Sequence, residues 1–383
     1  MALVSSVVTP QPRYEQRPQQ RQTSLKSDST FPACAGSGLR LGLGGAPLGN
    51  LFSPVPDRSA RALVDAAWRT GCRSFDTAPH YGHGLSERRL GEALRGQPRD
   101  SFTLSSKVGR LLLPNASAAR EQHGYVQLPP FNQAWNYSTS GTWRSVEDSL
   151  QRLGFSHLDA AYVHDPDEVT HGARAPAVLR QVIDETLPAL ASLKREGLIR
   201  QIGLGTNDVN VVLQVMQECD IDVLMLAGRY SLLDQTALAK LLPLCEARGV
   251  RIALGGVFNS GILATGVGGA GRGGTGKTKA LPTFNYAPAA VEWVDRTARI
   301  EAICATHGVP LRAAALQFPL AHPAVEIVML GARKPSEWAD AQAMMSHPIP
   351  AAFWTALRRD KLVPPEAPVP AARKASAKAS DDH

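Results

Sequence analysis

The sequence predicts a single-domain α/β fold, a (β/α)8 TIM barrel, and three observations support this. From residue 39 onward, short apolar runs typical of strands alternate with longer amphipathic runs typical of helices. Strict alternation indicates an all-parallel sheet, and eight such units are the number that closes a barrel. Polar side chains directly follow several of the short apolar runs, at the strand ends where barrels of this kind carry their active sites. A doubly wound open sheet is the alternative.

The predicted elements follow the chain in order. Strands are expected near 41–45, 73–76, 102–107, 158–164, 199–204, 223–227, 251–255 and 326–330. Helices are expected over stretches that include 57–70, 143–153, 181–196, 208–218, 235–248 and 289–307. In the first of these helices, Leu63, Ala66, Ala67 and Thr70 recur at the spacing of one buried face, and Gly71 is placed to end the helix.

The two ends of the chain are expected to lie outside the barrel. Residues 1–36 are rich in Gln, Arg, Ser and Pro and contain no continuous apolar run. They are predicted to be a disordered extension, or translated sequence upstream of the true start, and not a secretory signal. Residues 366–383 are predicted to be a disordered tail. The barrel domain is therefore expected over 37–365.

The composition excludes several classes of protein. The formal net charge of +7 concentrates in 1–36, 271–280 and 371–383, so the body of the chain is nearly neutral and a nucleic-acid partner is not expected. No uninterrupted apolar run approaches the length of a membrane span, so no membrane association is expected. The five cysteines form no CxxC, which favours reduced thiols in a cytoplasmic protein. A monomer and a small homo-oligomer both fit the sequence.

Two connections are too long to be simple turns. Segment 108–141 contains Phe131, Trp135 and Tyr137 and is expected to fold over the barrel mouth as a substrate loop. Segment 264–288 is mostly Gly, Thr and Lys, and loops of this length inside compact domains are functional or disordered.

Four polar residues close or follow three of the predicted strands. Asp76 ends one strand and Tyr81 lies in the loop beyond it, while Lys107 and His164 end two others. A phenol that works as an acid and base needs its pKa of about 10 moved toward working pH, and a nearby cation does that by favouring the phenolate. A barrel brings all four residues to one rim, so we expect a single site built from them.

In type, order and placement, Asp76, Tyr81, Lys107 and His164 resemble the catalytic tetrad of the aldo-keto reductase superfamily. Further stretches resemble one branch of it, the D-threo-aldose 1-dehydrogenase group, which also contains L-fucose, L-galactose and pyridoxal dehydrogenases. These stretches are 41–49, 85–91, 147–154, 226–233 and 259–263. The similarity extends over roughly residues 39–363.

The resemblance implies a role for each of the four residues. Tyr81 exchanges the proton with the reacting oxygen, and Lys107 lowers the pKa of Tyr81. Asp76 holds the Lys107 ammonium in place, and His164 orients the reacting oxygen through a ring N–H. The hydride needs a nicotinamide, NAD or NADP, because no side chain carries it. The expected partner is a small-molecule substrate.

The resemblance also implies cofactor contacts. In the superfamily the segment after the last strand grips the adenosine phosphate, which here indicates Gly331, Ala332, Arg333 and Glu337. The acidic Glu337 favours NAD, whereas Arg333 and Lys334 keep NADP open. The other expected contacts are Gly45, Ala46, Thr206, Asn207, Ser260, Gly261 and Leu263.

Two positions depart from the superfamily pattern. Ala227 stands where many relatives carry Gln. Gly255 and Gly256 occupy the region where others place a ring under the nicotinamide, and Phe258 is a candidate replacement for that ring.

Two other motifs do not support a site of the kind they suggest. Residues 271–278 match the P-loop pattern GxxxxGK[ST], but that pattern needs a strand before it and a helix after it, and here Pro282 follows closely. A basic loop that closes over the cofactor pyrophosphate is the milder hypothesis for this segment. His80 and His83 lie close together in a loop, and no metal site is expected from them.

The function that the resemblance implies is NAD(P)-dependent oxidation of the C1 hemiacetal of an aldose, such as L-fucose, D-arabinose or L-galactose, to its lactone. Oxidation of pyridoxal through its cyclic hemiacetal is one alternative, and NADPH-dependent carbonyl reduction in the opposite direction is another. A nucleotide-binding regulatory subunit is an alternative from a different class, and the intact tetrad argues against it.

Overall fold

The computed structural model describes residues 31, 32, 34, 36–268 and 282–371. Eight parallel strands close into a barrel, which confirms the predicted fold. From first to eighth in chain order, the barrel strands are Leu41–Gly44, Ser74–Asp76, Thr103–Val108, Leu158–His164, Ile199–Thr206, Val223–Ala227, Arg251–Gly255 and Val325–Gly331. Each strand pairs in parallel with the next in the chain, and the eighth pairs with the first.

Helices surround this barrel. The α-helices are Asp57–Arg69, Leu85–Leu94, Thr139–Leu153, Glu168–His171, Ala175–Gln181, Leu187–Arg195, Val209–Glu218, Leu241–Ala247, Ile262–Thr265, Val291–His307, Leu311–Gln317, Pro335–Ser346 and Ala351–Arg359. A π-helical turn, Val182–Thr186, joins two of them into one long helix. Short 3₁₀ turns occupy Ala46–Gly49, Arg99–Ser101, Gly172–Arg174, Asn259–Gly261 and Phe318–Ala321.

The helix Asp57–Arg69 shows how the sequence dictates its local structure. Of the predicted face, Leu63 and Ala67 are fully buried and Ala66 is half-buried, whereas Thr70 is exposed. The helix ends where Gly71 adopts a positive φ of 90°, a conformation that glycine reaches without steric cost, so the predicted stop is confirmed.

The predicted helix over 235–248 is shorter in the structure, where only Leu241–Ala247 is helical. The carboxylate of Asp234 accepts hydrogen bonds from the backbone N and the hydroxyl of Thr236, at 2.9 and 2.8 Å. These local bonds stabilise a turn in place of the first helical residues.

The packed structure extends beyond the predicted domain boundaries at both ends. Phe31, which was assigned to the disordered extension 1–36, is 5% exposed and belongs to the buried cluster inside the barrel with Tyr162 and Ile327. Cys34 is buried in the main core, and Ala367 is fully buried beyond the expected end at residue 365. Apolar side chains at these positions pack on the barrel and were hidden by their polar neighbours in the sequence. Residues 1–30 and 372–383 lie outside the described part of the chain.

The two long connections differ from each other. Segment 108–141 contains an antiparallel hairpin, Arg110–Pro114 with Phe131–Trp135, and a smaller one, Glu121–Gln122 with Tyr125–Val126. Of segment 264–288, the described part ends in the short hairpin Thr283–Phe284 with Ala287–Pro288. The P-loop-like residues 271–278 lie outside the described residues. None of the described helices is long and apolar enough to cross a membrane.

Candidate active site

The structure brings the four predicted site residues together at the C-terminal end of the barrel. Asp76 is the last residue of the second strand, Lys107 lies one residue before the end of the third, and His164 ends the fourth. Tyr81 follows in the turn after the second strand. Since these three strands are neighbours in the barrel, their ends converge on one point.

At the base of this point, Asp76 and Lys107 form a buried ion pair, called here the floor pair. Lys107 Nζ lies 2.7 Å from Asp76 Oδ2, and it donates a second hydrogen bond of 2.9 Å to the carbonyl of Thr77. The other carboxylate oxygen of Asp76 accepts from Ser105 Oγ at 2.8 Å. Each residue of the pair is 3% exposed, and burial raises the pKa of Asp76 even though Lys107 opposes the shift. Both charged groups are therefore buried from water and held by fixed hydrogen-bond partners.

Tyr81 lies directly above the floor pair. Lys107 Nζ is 4.7 Å from the centre of its ring, and the ring of His164 meets it edge-on with centroids 6.0 Å apart. The surrounding protein removes water from the phenol and raises its pKa well above the usual value, and the carboxylates of Asp76 and Asp165 add to this effect. The pKa of Tyr81 is thus raised in this structure, opposite to the lowering expected from the presence of Lys107, because desolvation is the largest cause of the shift.

Close backbone contact fixes the turn that carries Tyr81. Gly82 has a positive φ of 65°, and a Cβ added there would overlap the backbone of Gly49. A Cβ on Gly49 would in turn overlap the backbone of Tyr81. The turn Ala46–Gly49 thus packs against the turn that carries Tyr81 through main-chain contact.

His164 is buried and neutral. Desolvation, together with Arg110 and Lys107, lowers its pKa well below the usual value. Its Nε2 lies 3.3 Å from Oδ2 of Asp165, the next residue. A neutral imidazole at this position can offer an N–H to an oxygen placed beside Tyr81.

A second polar group above the floor pair was missed by the sequence reasoning. This mouth cluster consists of Arg110, His80, Gln133, Asp165 and Trp135. Arg110 Nη1 lies 2.5 Å from His80 Nδ1 and 3.3 Å from Gln133 Oε1, and Nη2 lies 3.0 Å from Asp165 Oδ2. The guanidinium stacks on the Trp135 ring with Cζ 4.0 Å from its centre. One sequence signal was present, because an arginine directly precedes the apolar run 111–113. In the structure only 7% of Arg110 is exposed.

His80 is neutral in this environment. Its pKa lies well below the usual value because it is desolvated and faces Arg110. Nδ1 of His80 contacts both Arg110 Nη1, which can only donate, and Gln133 Oε1 at 3.0 Å, which can only accept. Within the described residues, no group of His, Cys, Asp and Glu side chains is arranged to hold a metal ion.

A cavity of about 510 Å³ opens beside the ends of the seventh and eighth strands. It reaches the N-terminus of the helix Pro335–Ser346, where Arg333 and Lys334 also line it. A helix N-terminus with adjacent cations is suited to phosphate. A side chain at Gly331 would crowd Pro47, which lies 3.0 Å from the position of the missing Cβ. The size, the charge and the bare backbone fit the adenosine and phosphate portion of a dinucleotide.

The predicted cofactor contacts divide into four groups, of which the first three lie at or near this cavity. Gly331, Arg333, Glu337, Ser260 and Gly261 line this cavity, as does Phe258. Leu263 and Ala332 do not bring their side chains to it, because they are 0% and 1% exposed and pack in the core. Gly45 and Ala46 adjoin Pro47 at the cavity edge.

Thr206 and Asn207, the remaining predicted contacts, lie at the end of the fifth strand. The Thr206 hydroxyl is buried, donates to Asp167 Oδ2 at 3.3 Å and accepts from the backbone N of Asp208 at 3.1 Å. Asn207 is partly exposed. Of the two, Asn207 is therefore better placed to meet a ligand through its side chain.

Comparison with known proteins agrees with this geometry. The Aldo/keto reductase family profile matches residues 40–359. Pyridoxal 4-dehydrogenase of Microbacterium luteolum is 42% identical over 84% of this chain and 94% of its own, and D-threo-aldose 1-dehydrogenase of Pseudomonas sp is 37% identical over 88% and 99%. An aldo-keto reductase from Bacillus halodurans, solved in its holo form, superposes with a TM-score of 0.62 at 25% identity, covering 87% of this chain and 96% of its own. The chain therefore belongs to the aldo/keto reductase family and is an NAD(P)-dependent oxidoreductase.

Proposed function

We propose that this chain oxidises the C1 hydroxyl of a cyclic aldose hemiacetal to the lactone. The observation that carries the proposal is the arrangement of Tyr81 and His164 above the floor pair, at the end of a barrel whose mouth is polar. Tyr81 can take a proton from a substrate hydroxyl, and His164 can donate a hydrogen bond to the same oxygen. The similarity to the D-threo-aldose dehydrogenase supports a sugar as the substrate.

Tyr81 acts in this proposal as the base that accepts the hydroxyl proton. His164 donates its ring N–H to the same oxygen. This hydrogen bond orients the oxygen as it becomes the carbonyl oxygen of the product. Lys107 stabilises the phenolate from 4.7 Å below the ring, and Asp76 keeps the ammonium in position through the 2.7 Å bond. No other proton acceptor is needed for the step.

When bound, the nicotinamide dinucleotide supplies the hydride acceptor. We propose that Arg333, Lys334 and the N-terminus of the helix Pro335–Ser346 hold its adenosine phosphate end. Glu337 Oε2 accepts a 2.8 Å hydrogen bond from the Arg333 backbone N, so a carboxylate stands at the base of this site. A carboxylate there repels a 2′-phosphate, which favours NAD over NADP.

The test is nicotinamide absorbance at 340 nm with the purified protein, either NAD⁺ or NADP⁺, and a panel of L-fucose, D-arabinose, L-galactose and pyridoxal. Turnover of an aldose with formation of the lactone supports the proposal. Absence of aldose turnover, together with NADPH oxidation on simple aldehydes, would replace it with carbonyl reduction.

Pyridoxal is a second candidate, and the similarity to a pyridoxal 4-dehydrogenase favours it. Its cyclic hemiacetal presents the same carbon and hydroxyl to Tyr81 and His164. Trp135, which is 38% exposed, would contact its flat ring. A higher kcat/KM for pyridoxal than for every aldose of the panel would make it the substrate.

A further inference from the structure

The mouth cluster contains a carboxylate immediately beside the reacting position. Asp165 follows His164, and its Oδ2 lies 3.3 Å from His164 Nε2 and 3.0 Å from Arg110 Nη2. A substrate oxygen held by His164 therefore has this carboxylate as a near neighbour.

The ion pair between Arg110 and Asp165 is incomplete on both sides. Oδ1 of Asp165 accepts no hydrogen bond from the described part of the chain, and 27% of the side chain is exposed. The buried Nε of Arg110 likewise has no partner among the described residues. Buried polar groups in proteins are normally satisfied, so an accessible carboxylate oxygen beside the reacting point is a position for a ligand donor.

The backbone supports the same conclusion. Asp165 holds a positive φ of 46°, a conformation that most residues with a side chain adopt only at a cost. Its backbone N donates a 3.0 Å hydrogen bond to the Gly205 carbonyl, which fixes the residue against the neighbouring strand. The chain leaves the strand direction at this φ, and Oδ2 of Asp165 contacts Arg110 Nη2 at 3.0 Å.

Other residues of the mouth cluster hold the carboxylate but do not occupy its free oxygen. Arg110 is fixed from three sides by Trp135, His80 and Gln133. A fixed guanidinium orients the carboxylate through a charge-assisted hydrogen bond. The result is one oriented acceptor, open to the mouth, next to the position of the reacting oxygen.

We propose that Asp165 binds the hydroxyl on the carbon next to the one that is oxidised, and that it selects substrates with a vicinal diol, as in an aldose, over those without one. Oxygens on adjacent carbons are close neighbours, as are the two side chains, so one substrate can engage His164 and Asp165 together. Arg110 positions the carboxylate. This inference rests on the proposed function and adds to it the group that recognises the substrate.

The experiment compares kcat/KM for matched sugars with and without the 2-hydroxyl: L-fucose with 2-deoxy-L-fucose, and D-arabinose with 2-deoxy-D-ribose. Three proteins are measured: the unaltered chain, Asp165→Asn and Asp165→Gly. Glycine removes the carboxylate and tolerates the positive φ, whereas asparagine keeps a neutral acceptor in the same place. Cofactor binding, followed by fluorescence, confirms that each variant is folded.

We expect the unaltered chain to prefer the 2-hydroxy sugar by roughly 10- to 100-fold, the range for a hydrogen bond to a charged group. The preference should fall in Asp165→Asn and fall to within about threefold in Asp165→Gly. A purely structural role for Asp165 would lower both rates together and leave their ratio unchanged, and that result would overturn the inference while the proposed function stood. Failure of the unaltered chain to oxidise any aldose would overturn both.

Discussion

The floor pair and the mouth cluster each contain an ion pair, and the two differ in how fully the carboxylate is buried and hydrogen-bonded. Both bury a cation against a carboxylate: Lys107 with Asp76 at 2.7 Å, and Arg110 with Asp165 at 3.0 Å. In the floor pair both carboxylate oxygens accept hydrogen bonds and the side chains are at most 5% exposed. In the mouth cluster the carboxylate is partly exposed and has a free oxygen.

The difference follows from the elements that carry each pair. Barrel strands, paired on both sides, fix the floor pair, whereas Arg110 stands on a hairpin of the long connection and Asp165 begins a loop. Strand ends provide the fixed geometry that proton transfer needs, and loops provide the part that can vary with the substrate. We therefore propose that Tyr81 and the floor pair carry out the chemistry and that the mouth cluster selects the substrate.

The sharpest test of this division is removal of the proton acceptor. Tyr81→Phe keeps the ring and loses only the hydroxyl, so we expect kcat to fall by about 10³-fold or more while cofactor affinity stays within about twofold. Steady-state rates and fluorescence titration with the cofactor measure the two quantities. Retained turnover would show that a group other than Tyr81 accepts the proton.

Breaking the floor pair should reduce both activity and stability. Lys107→Met leaves the Asp76 carboxylate buried without its cation, and we expect a loss of about 3 kcal/mol in the free energy of unfolding together with a kcat decrease of about 100-fold. Denaturant unfolding gives the first value. The double variant Asp76→Leu with Lys107→Met is the control, because it removes both charges and should recover stability without activity.

The raised pKa of Tyr81 predicts a pH dependence with a definite sign. Oxidation requires the phenolate, and this form is scarce at neutral pH when the pKa lies above its usual value, so the rate should rise by about tenfold per pH unit below that pKa. Reduction requires the phenol and should remain nearly flat over the same range. Initial rates in both directions from pH 6.5 to pH 9.5 test this, and a flat oxidation profile with chemistry limiting would contradict it.

At the cofactor cavity the expected effect is smaller. Glu337→Gln removes a negative charge from the site proposed for the adenosine phosphate, and the ratio of kcat/KM for NADP⁺ to that for NAD⁺ should rise by about tenfold. Asp340→Asn is the matched control, because the Asp340 carboxylate is already paired with Arg312 at 3.0 Å. Equal shifts in both variants would indicate a general charge effect.

The smallest expected change concerns the support of Arg110. Trp135→Leu removes the ring on which the guanidinium stacks, and KM for the aldose should rise by about fivefold with little change in kcat. Trp135→Phe keeps a ring face and should recover most of the affinity. A fall in kcat instead of a rise in KM would show that the mouth cluster takes part in the chemistry.

Sequence reasoning predicted the floor because its signals are local. Asp76 and His164 end apolar strands and Lys107 lies one residue before the end of another, and strand ends of a closed barrel meet regardless of the loops between them. The fold class and the four site positions needed nothing beyond that periodicity and the resemblance.

The mouth cluster could not be predicted in the same way. Arg110 meets Trp135 only because the hairpin pairs these two residues directly, a register that depends on turns between them. Asp165 adopts a positive φ that periodicity does not reveal, and the pKa of Tyr81 depends on how many groups crowd it. Such facts come from three-dimensional packing.

The contact between Gly49 and Gly82 restricts how this chain can evolve. Neither position touches a substrate through a side chain, yet each fills the space in which the other would need a Cβ. A substitution at one cannot be compensated by a substitution at the other, since both would add atoms to the same gap. In a library of all single substitutions, these two positions should be as intolerant as Tyr81 itself, and natural sequences that retain the Tyr81 turn should keep both glycines.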